Sequence, residues 1–322
     1  MSLYYPAEQN GDTMKVAIVG SGALGLFYGA RLQQAGVAVH FLARRDYQVL
    51  ATSGLTVNSV DGDFRLDTVN VYRHSEMIGP VDLVLVALKS FDNGALSSLI
   101  TPLLAPNTLV LTLQNGLGNE SALAERFGAQ RCLGGVAFLC SNRGVPGVVH
   151  HLGAGRVTLG WYQGDRHGGA ADDIAEMFRA AGIQAHVTTD LLRTRWEKLV
   201  WNIPFNGLSA VTGQAVDRLL ATSSLQRLVR TIMTEVVAAA NAQALSSPIA
   251  ESYVDAMIDF TLGMGPYRPS MLIDREEGRP LEQRAIVSLP LQAGTDAGVA
   301  MPCTAMLDAL LSLCSVETAS VV

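Results

Sequence analysis

The apolar stretch Lys15-Val16-Ala17-Ile18-Val19 runs directly into Gly20-Ser21-Gly22-Ala23-Leu24-Gly25, a Gly-x-Gly-x-x-Gly pattern that opens a helical period from Ala23 to Ala35. A buried strand, a glycine-rich turn and a helix N-terminus in this order can present backbone N–H groups to a pyrophosphate. The stretch therefore predicts a dinucleotide site. The alternative is a glycine-rich turn that binds nothing.

Apolar runs alternate with helical periods over the first part of the chain. The runs are near-continuous Val, Leu and Ile, which is typical of strands covered on both faces of a parallel sheet. Such alternation predicts βαβ units and a doubly wound sheet. A hairpin is predicted within 53–72 and a second β-rich segment within 134–160. The further runs are Val37–Leu42, Asp82–Leu88 and Thr108–Leu113.

Beyond Thr188 the pattern changes to long helical periods without strand signals. The fold class predicted is therefore α/β, with an N-terminal Rossmann-type doubly wound parallel sheet and a C-terminal all-α domain. We expect a flexible leader over 1–13, a nucleotide-binding domain over 14–188 and a helical substrate and catalytic domain over 189–322. The apolar C-terminal helices are compatible with a homodimer interface and equally with a second core.

Composition excludes several classes of protein. Of 322 residues, 49% are hydrophobic and only 16% are charged, which excludes intrinsic disorder. The net charge is −6 and no block of Lys and Arg is present, so we expect no nucleic-acid partner. The uncharged stretch 93–119 is interrupted by Pro102 and Pro106, which argues against a membrane span.

The cysteines point to a reducing compartment. The four cysteines form no Cys-x-x-Cys pair and have no His at zinc-ligand spacing. We therefore expect reduced thiols in a cytoplasmic protein, with no disulfide and no metal site.

The second strand indicates which dinucleotide binds. NAD-binding folds carry an acidic residue for the ribose about 20 residues after the glycine turn. Here Arg44-Arg45 lies in that region, 24 residues after Gly20. A guanidinium suits a 2′-phosphate, so the sequence favours NADPH. The alternative is a solvated arginine pair at the end of a strand.

Two further segments follow predicted strands at the edge where open α/β sheets bind their ligands. Lys89 follows one strand, and Gln114-Asn115-Gly116-Leu117-Gly118-Asn119 follows the next. Its glycines would let the backbone approach a ligand closely. The alternatives are a surface lysine and an Asn-Gly turn with no ligand.

Lys198, Asn202 and Asn206 lie at i, i+4 and i+8 on a helix predicted to start near Asp190. They form a polar stripe that advances about 40° per step. Pro204 cannot donate to the carbonyl of Val200, so the helix is predicted to kink or end there and to present Asn206 from a turn. The alternative is a solvated Lys/Asn face.

Taken together, these motifs resemble the ketopantoate reductase (2-dehydropantoate 2-reductase) family. The resemblance covers nearly all of 14–316. It rests on the glycine turn, Leu88-Lys89, the Gln114–Asn119 segment, Trp196–Asn206, and a later segment from Ser270-Met271-Leu272 to Gly278-Arg279-Pro280-Leu281-Glu282.

The resemblance implies a cytoplasmic NADP-dependent oxidoreductase that acts on CH–OH groups and reduces a 2-oxo acid with NADPH. The typical reaction is ketopantoate to pantoate, on the route to pantothenate and coenzyme A. The implied catalytic residues are Lys198, the general acid, and Glu282, which contacts the substrate hydroxyl. The implied substrate-binding residues are Asn115, Asn202, Asn206 and Ser270. The implied cofactor-binding residues are Arg44, Lys89 and Asn115 with the glycine turn.

The chain departs from the family pattern after Glu282. Gln283-Arg284 replaces an apolar and an acidic residue, and Val287-Ser288 stands where an Asn-Gly pair is usual. A reductase of a different 2-oxo acid and a non-catalytic NADPH-binding regulator therefore stay as alternatives, although a pure binder has no need of Lys198 and Glu282. Arg279 is interpreted as a solvated loop residue. The histidines His150, His151 and His167 are interpreted as surface or loop residues.

Overall fold

The structure is a computed structural model that describes residues 14–163 and 168–319. The predicted leader, 1–13, and His167 lie outside the described residues. The chain divides into two compact units. The first comprises residues up to Gln114 together with Asn119–Leu191, and the second comprises Asn115–Gly118 together with residues from Leu192 onwards. The predicted boundary after 188 lies close to this division, but the inclusion of Asn115–Gly118 in the helical unit was not predicted.

The first unit is built around one mixed sheet. Its strands are β1 Lys15–Val19, β2 Ala38–Leu42, β3 Leu55–Ser59, β4 Phe64–Leu66, β5 Asn70–Tyr72, β6 Leu83–Val86, β7 Leu109–Thr112, β8 Cys132–Arg143, β9 Val148–Trp161 and β10 Ala185–Val187. Its helices are α1 Ala23–Gln34, α2 Tyr47–Ser53, α3 Leu96–Ile100, α4 Asn119–Phe127 and α5 Ala170–Ala180.

The centre of the sheet is parallel, in the order β5-β2-β1-β6-β7-β8. The residues of β6 and β7 are buried throughout, since helices cover both faces of the sheet. The carboxyl ends of β1, β2 and β6 therefore meet at one edge, where the glycine turn leaves β1. The predicted Rossmann-type fold is confirmed.

The parallel part of the sheet is extended by two antiparallel pairs, β8 with β9 and β3 with β4. The strands β8 and β9 form a long antiparallel hairpin, closed by a bond from the Gly144 N–H to the Val148 carbonyl at 3.0 Å. The predicted hairpin within 53–72 is present as β3 and β4, but β5 leaves it and pairs in parallel with β2. The strand β3 pairs on its other side with β9, in parallel.

The prediction that His150 and His151 are surface or loop residues was wrong for His151, which is buried in β9, whereas His150 lies in the same strand and is half-buried. The Nε2 atom of His151 lies 2.9 Å from the carbonyl of Ala154, and its Nδ1 atom lies 2.9 Å from Ser59 Oγ. A carbonyl only accepts hydrogen bonds, so Nε2 donates, and in the neutral ring Nδ1 then accepts from the Ser59 hydroxyl. The ring also stacks on Phe27 at 4.4 Å between centroids. Partners distant in sequence therefore make the burial tolerable.

The second unit is helical throughout its described residues. Its helices are α6 Leu191–Thr212, α7 Val216–Leu219, α8 Ser223–Asn241, α9 Ser252–Leu262, α10 Ser270–Glu276, α11 Leu289–Asp296 and α12 Pro302–Ala319, with a π-helical turn at Arg284–Ser288. Apolar side chains of α6 and α8, among them the fully buried Trp196, form its core. The predicted all-α character of this unit is confirmed.

The predicted end of the helix at Pro204 was wrong, because α6 continues through it to Thr212. Proline has a backbone φ that suits a helix, and its cost is the missing bond to Val200 together with steric pressure on that turn. The residues on either side of Pro204 are fully buried, so packing holds the helix together there. As a result Asn206 is on the helix itself, in register with Lys198 and Asn202.

Within residues 14–163 and 168–319, none of the helices combines the length and the apolar character needed to cross a bilayer. The same residues contain no group of three His, Cys, Asp or Glu side chains arranged to hold a metal ion. All four cysteines are free thiols. Burial raises the pKa of the Cys132 thiol to about 12, so this side chain stays protonated at neutral pH.

A buried carboxylate anchors the start of α12. Glu235 on α8 accepts hydrogen bonds from the backbone N–H groups of Cys303 and Thr304 and from the Thr304 hydroxyl, at 2.8–3.0 Å. These N–H groups belong to the first turn of α12, which has no partner for them within the helix. The carboxylate also faces the positive end of the helix dipole.

Replacing Glu235 with alanine is expected to lower the free energy of unfolding by about 3 kcal/mol, because buried donors lose a charged acceptor. Thr234→Ala is the matched control. Thr234 is the exposed neighbour, whose hydroxyl donates to the Arg230 carbonyl of the same helix, and its replacement should cost no more than about 0.5 kcal/mol. Urea unfolding followed by circular dichroism measures both variants. Equal losses would contradict the anchoring role.

Candidate active site

The glycine turn between β1 and α1 is closely packed on one side and open on the other. Gly20 has a φ of +109°, and a Cβ there would lie 2.6 Å from the backbone of Ala87 and Leu88. A Cβ on Gly25 would lie 2.0 Å from the carbonyl oxygen of Gly20. These two glycines are therefore required by the turn itself.

Gly22 is different, because a Cβ there would meet nothing within 4 Å. Its φ of −80° is also accessible to any residue. Internal packing thus gives no reason for glycine at this position. Gly22 is the N-cap of α1 and has no side chain to cap the first N–H groups of the helix, which have no partner within the helix. A pyrophosphate needs such an open N-terminus, and the residues present fit it.

The basic residues of the predicted cofactor side lie at the carboxyl ends of neighbouring strands. Ser21 Oγ donates to the carbonyl of Leu42 at 2.9 Å, which links the glycine turn to the end of β2. Arg44 and Arg45 follow as exposed residues. Lys89 lies just after β6 and is half-buried. All of these residues belong to the first unit.

A chain of buried amides fixes the segment that follows β7. Thr112 Oγ1 donates to Gln114 Oε1 at 3.0 Å, Gln114 Nε2 donates to Asn93 Oδ1 at 2.8 Å, and Asn93 Nδ2 donates to Asn119 Oδ1 at 3.0 Å. Both flanks of the Asn115–Gly118 segment are therefore held by side-chain hydrogen bonds. An Asn-Gly turn whose only role is to reverse the chain has no need of such a network.

Lys198 and Asn115 are in direct contact in the helical unit. Lys198 Nζ donates to Asn115 Oδ1 at 2.5 Å, a short charge-assisted hydrogen bond. Lysine is rare in this protein, which has three lysines (Lys15, Lys89 and Lys198) against twenty arginines. Unlike arginine, lysine can give up its proton in a protein.

The Asn115 segment is itself fixed to the π-helical turn. The N–H of Leu117 donates to the carbonyl of Ala285 at 2.9 Å. Gly116, with a φ of +83°, passes so close that a Cβ would lie 2.2 Å from that same carbonyl oxygen. The glycine and the positive φ are both needed for this approach.

The polar stripe on α6 continues into a second hydrogen-bonded group. Asn206 Nδ2 donates to Asn202 Oδ1 at 3.4 Å, and Asn206 Oδ1 accepts from Ser270 Oγ at 3.3 Å and from the Met271 N–H at 3.1 Å. Asn202 and Asn206 are buried, which excludes the alternative of a solvated polar face. The start of α10 is thereby fastened to α6.

Glu282 is buried, and it immediately precedes the π-helical turn that holds Ala285. Two of the residues that depart from the family pattern fasten this turn to α12. Gln283 Nε2 donates to Asp308 Oδ1 at 2.8 Å, and Ser288 Oγ donates to the same carboxylate oxygen at 2.7 Å. The departures therefore support the segment that carries Glu282. π-Helical turns of this kind are frequent at functional sites.

The helical unit thus brings together Lys198 with Asn115, and Asn202 with Asn206 and Ser270, while Glu282 is tied to the Asn115 segment through Ala285. Sequence reasoning missed Asp308, and it gave no role to the buried Asp274, which lies within the segment from Ser270 to Glu282. Arg279 is part-exposed as expected, but it pairs with Asp274 at 2.8 Å. The Gly278-Arg279 spacing after Asp274 offered no signal of this pair.

Family models match both units. The model described as "Ketopantoate reductase PanE/ApbA" matches residues 16–164. The model of the C-terminal part of the same family matches residues 190–314. A 2-dehydropantoate 2-reductase of Nostoc sp. is 45% identical in an alignment 292 residues long that covers 89% of this chain and 91% of that protein. The chain belongs to the ketopantoate reductase family.

Solved structures agree with this membership. A crystal structure of 2-dehydropantoate 2-reductase from Geobacter metallireducens is 58% identical and has a TM-score of 0.92, covering 93% of this chain and 99% of that one. A D-mandelate dehydrogenase in a ternary complex with NADH and anilino(oxo)acetate is 25% identical and has a TM-score of 0.86, covering 95% of this chain and all of that one. The family fold is therefore also similar to that of an enzyme with a different oxo acid ligand.

The two faces of the glycine turn allow cofactor binding and folding to be tested separately. Gly22→Ala is expected to change the free energy of unfolding by no more than about 1 kcal/mol. It should nevertheless weaken NADPH binding by at least about tenfold, because its methyl group enters the open space. Gly25→Ala should instead destabilise the protein by about 2 kcal/mol or more. Cofactor fluorescence titration measures NADPH binding, and urea unfolding measures stability. An unchanged NADPH affinity in Gly22→Ala would contradict the assignment of the pyrophosphate to the N-terminus of α1.

Proposed function

We propose that this protein reduces 2-dehydropantoate (ketopantoate) to pantoate with NADPH, and that Lys198 is the general acid. The hydrogen bond from Lys198 Nζ to Asn115 Oδ1 is the observation that carries this proposal. It holds the lysine in one orientation, on the residues that correspond to the family's catalytic motif. The first unit is proposed to bind the cofactor and the second to bind the substrate and supply the proton.

NADPH, when bound, supplies the hydride that reduces the carbonyl carbon. The residues proposed to hold it are Gly20–Gly25 around the pyrophosphate, Arg44 at the 2′-phosphate, and Lys89 and Asn115. The open N-terminus of α1 at Gly22 supports the first of these assignments. The exposed guanidinium of Arg44, directly after β2, supports the second.

Lys198 is proposed to give a proton to the carbonyl oxygen of the substrate. Reduction of the carbon develops negative charge on that oxygen, and a positioned proton donor lowers the barrier. Asn115 accepts one of the ammonium hydrogens of Lys198 and so fixes the direction in which this group points. A chain that uses arginine for almost every other positive charge keeps a lysine here, which suits a proton donor better than a fixed charge.

The amides and hydroxyl on α6 and α10 are proposed to orient the substrate. Asn202, Asn206 and Ser270 can supply donors and acceptors to a carboxylate and a hydroxyl, and their mutual hydrogen bonds restrict their rotation. Glu282 is proposed to accept a hydrogen bond from the substrate hydroxyl. Its burial would strengthen that bond, since water is excluded.

Lys198→Ala is expected to lower kcat for ketopantoate by about 10²–10⁴-fold without changing the affinity for NADPH. Lys198→Arg should be nearly as inactive, because a guanidinium keeps the charge but does not release its proton. Lys15→Arg is the matched control. It should stay close to wild type, since Lys15 Nζ only bonds the carbonyls of Ile78 and Pro80. Steady-state NADPH oxidation measures all three variants, and an active Lys198→Arg would contradict the proton-donor role.

A reductase of a different 2-oxo acid is the second candidate. Two observations favour it, namely the 25% identical dehydrogenase structure with an aryl-substituted oxo acid and the departures at Gln283 and Ser288.

A panel of branched and aryl 2-oxo acids separates the two candidates by kcat/KM. We expect ketopantoate to exceed each other compound by at least about tenfold, since one misplaced group costs that much in a fitted pocket. A higher value for an aryl oxo acid would establish the second candidate. NADPH binding without turnover of any oxo acid would indicate a regulator instead.

We further propose a cytoplasmic location and a homodimer. The four free thiols support a reducing compartment. The exposed face of α12 supports self-association, because Met306, Leu310 and Leu313 lie there at i, i+4 and i+7. Two copies of such a face can pair about a twofold axis without bringing like charges together.

A further inference from the structure

The loop after β2 contains both a basic and an acidic residue in the region that recognises the cofactor ribose. Arg44 and Arg45 are exposed, and Asp46 follows them directly. An acidic residue in this region is what accepts the ribose hydroxyl of NAD, whereas arginine suits the 2′-phosphate of NADPH. The position of the Asp46 carboxylate therefore bears on which cofactor the loop accepts.

The Asp46 carboxylate is buried and paired. The residue is only 2% exposed, and its Oδ2 atom accepts a hydrogen bond from Arg143 Nη2 at 2.5 Å. Among the described residues nothing donates to its Oδ1 atom. The compensation for burying this charge therefore comes from Arg143, at the end of β8 and 97 residues away.

The β8–β9 hairpin is in a position to control this loop. The turn of the hairpin lies against α2, since a Cβ on Gly147 would be 2.7 Å from Val49. The carbonyl of Gly147 also accepts a hydrogen bond from the Thr56 N–H at 2.9 Å. Arg143 therefore reaches Asp46 from a fixed support rather than from a free loop.

The other charges around the loop are mainly positive. Arg73 stacks on Tyr47, the first residue of α2, with its guanidinium carbon 4.3 Å from the ring centroid. Arg44 lies 4.0 Å from the part-exposed Asp92, a weak ion pair at this exposure. Because the Asp46 carboxylate is buried, guanidinium groups on the exposed side of the loop can contact an anionic ligand.

We propose that Arg143 is a positioning residue that sets the preference for NADPH over NADH by keeping the Asp46 carboxylate buried. This inference rests on the proposed NADPH-dependent function. Without Arg143, no positive charge compensates the buried Asp46 carboxylate. Rotation of this side chain outwards into water then removes the free-energy cost of burying the charge. It would then lie beside Arg44 and Arg45, where it repels a 2′-phosphate and accepts a hydrogen bond from a 2′-hydroxyl.

The test measures dissociation constants for NADPH and NADH, and their kcat/KM values, in wild type and in Arg143→Gln. We expect the NADPH:NADH preference to fall by at least about tenfold in Arg143→Gln, with the change in binding and not in kcat at saturating cofactor. Arg143→Lys should recover part of the preference, because it restores the charge. Arg156→Gln is the matched control, since Arg156 lies on the same hairpin but stacks on Phe138, with its guanidinium carbon 4.2 Å from the ring centroid. The NADPH:NADH preference of this variant should equal that of wild type.

A second substitution identifies the carboxylate as the cause. In the Asp46→Asn/Arg143→Gln double variant no charge remains to turn outwards, so the preference should return to within about threefold of wild type. The double variant also removes the uncompensated buried charge, so it is informative even if Arg143→Gln does not fold. Asp46→Asn alone should bind NADPH at least as selectively as wild type.

An unchanged preference in Arg143→Gln, or a double variant as unselective as the single one, would overturn this inference. Either result would leave the pair with a role in stability alone. The binding measurements need no oxo acid, so they distinguish this failure from a failure of the proposed function. The proposed function fails if wild type binds neither dinucleotide or turns over no oxo acid.

Discussion

The short hydrogen bond between Lys198 and Asn115 is the interaction on which the proposed catalytic arrangement depends. It joins the polar face of α6 to a segment that follows β7 in the chain yet groups with the helical unit. That segment is in turn anchored to Ala285 through Leu117, and Gly116 permits the close approach. Two hydrogen bonds thus link the proposed proton donor, through the Asn115–Gly118 segment, to the turn that follows Glu282.

Charge is scarce in this protein, and the structure shows how the buried part of it is compensated. Asp46 is held by Arg143, Asp274 by Arg279, and Glu235 by backbone N–H groups at the start of α12. Each of these three buried carboxylates has a specific donor, because an uncompensated one would cost several kcal/mol. Low overall charge therefore does not mean a simple apolar interior, since these three buried charges have specific partners.

Much of the fold could be predicted because its signals are local. The glycine turn, the apolar runs of β1, β6 and β7, and the spacing of Lys198, Asn202 and Asn206 are each contained in a short window. The features that could not be predicted depend on partners far away in sequence. His151 is buried by Phe27 and Ser59, Asp46 is paired 97 residues away, and α6 continues through Pro204 because its neighbours are packed. The assignment of Asn115–Gly118 to the helical unit is of the same kind.

The coupling between Lys198 and Asn115 is tested most directly by a double-mutant cycle on the rate of NADPH oxidation in a single turnover with ketopantoate. If Asn115 acts by holding the ammonium group, Asn115→Ala should lower the single-turnover rate by about tenfold or more in the wild-type background. In the Lys198→Ala background the same substitution should lower the rate by less than about twofold. The two losses would then be strongly non-additive. Equal factors in both backgrounds would show that the two residues act independently, and would contradict the account.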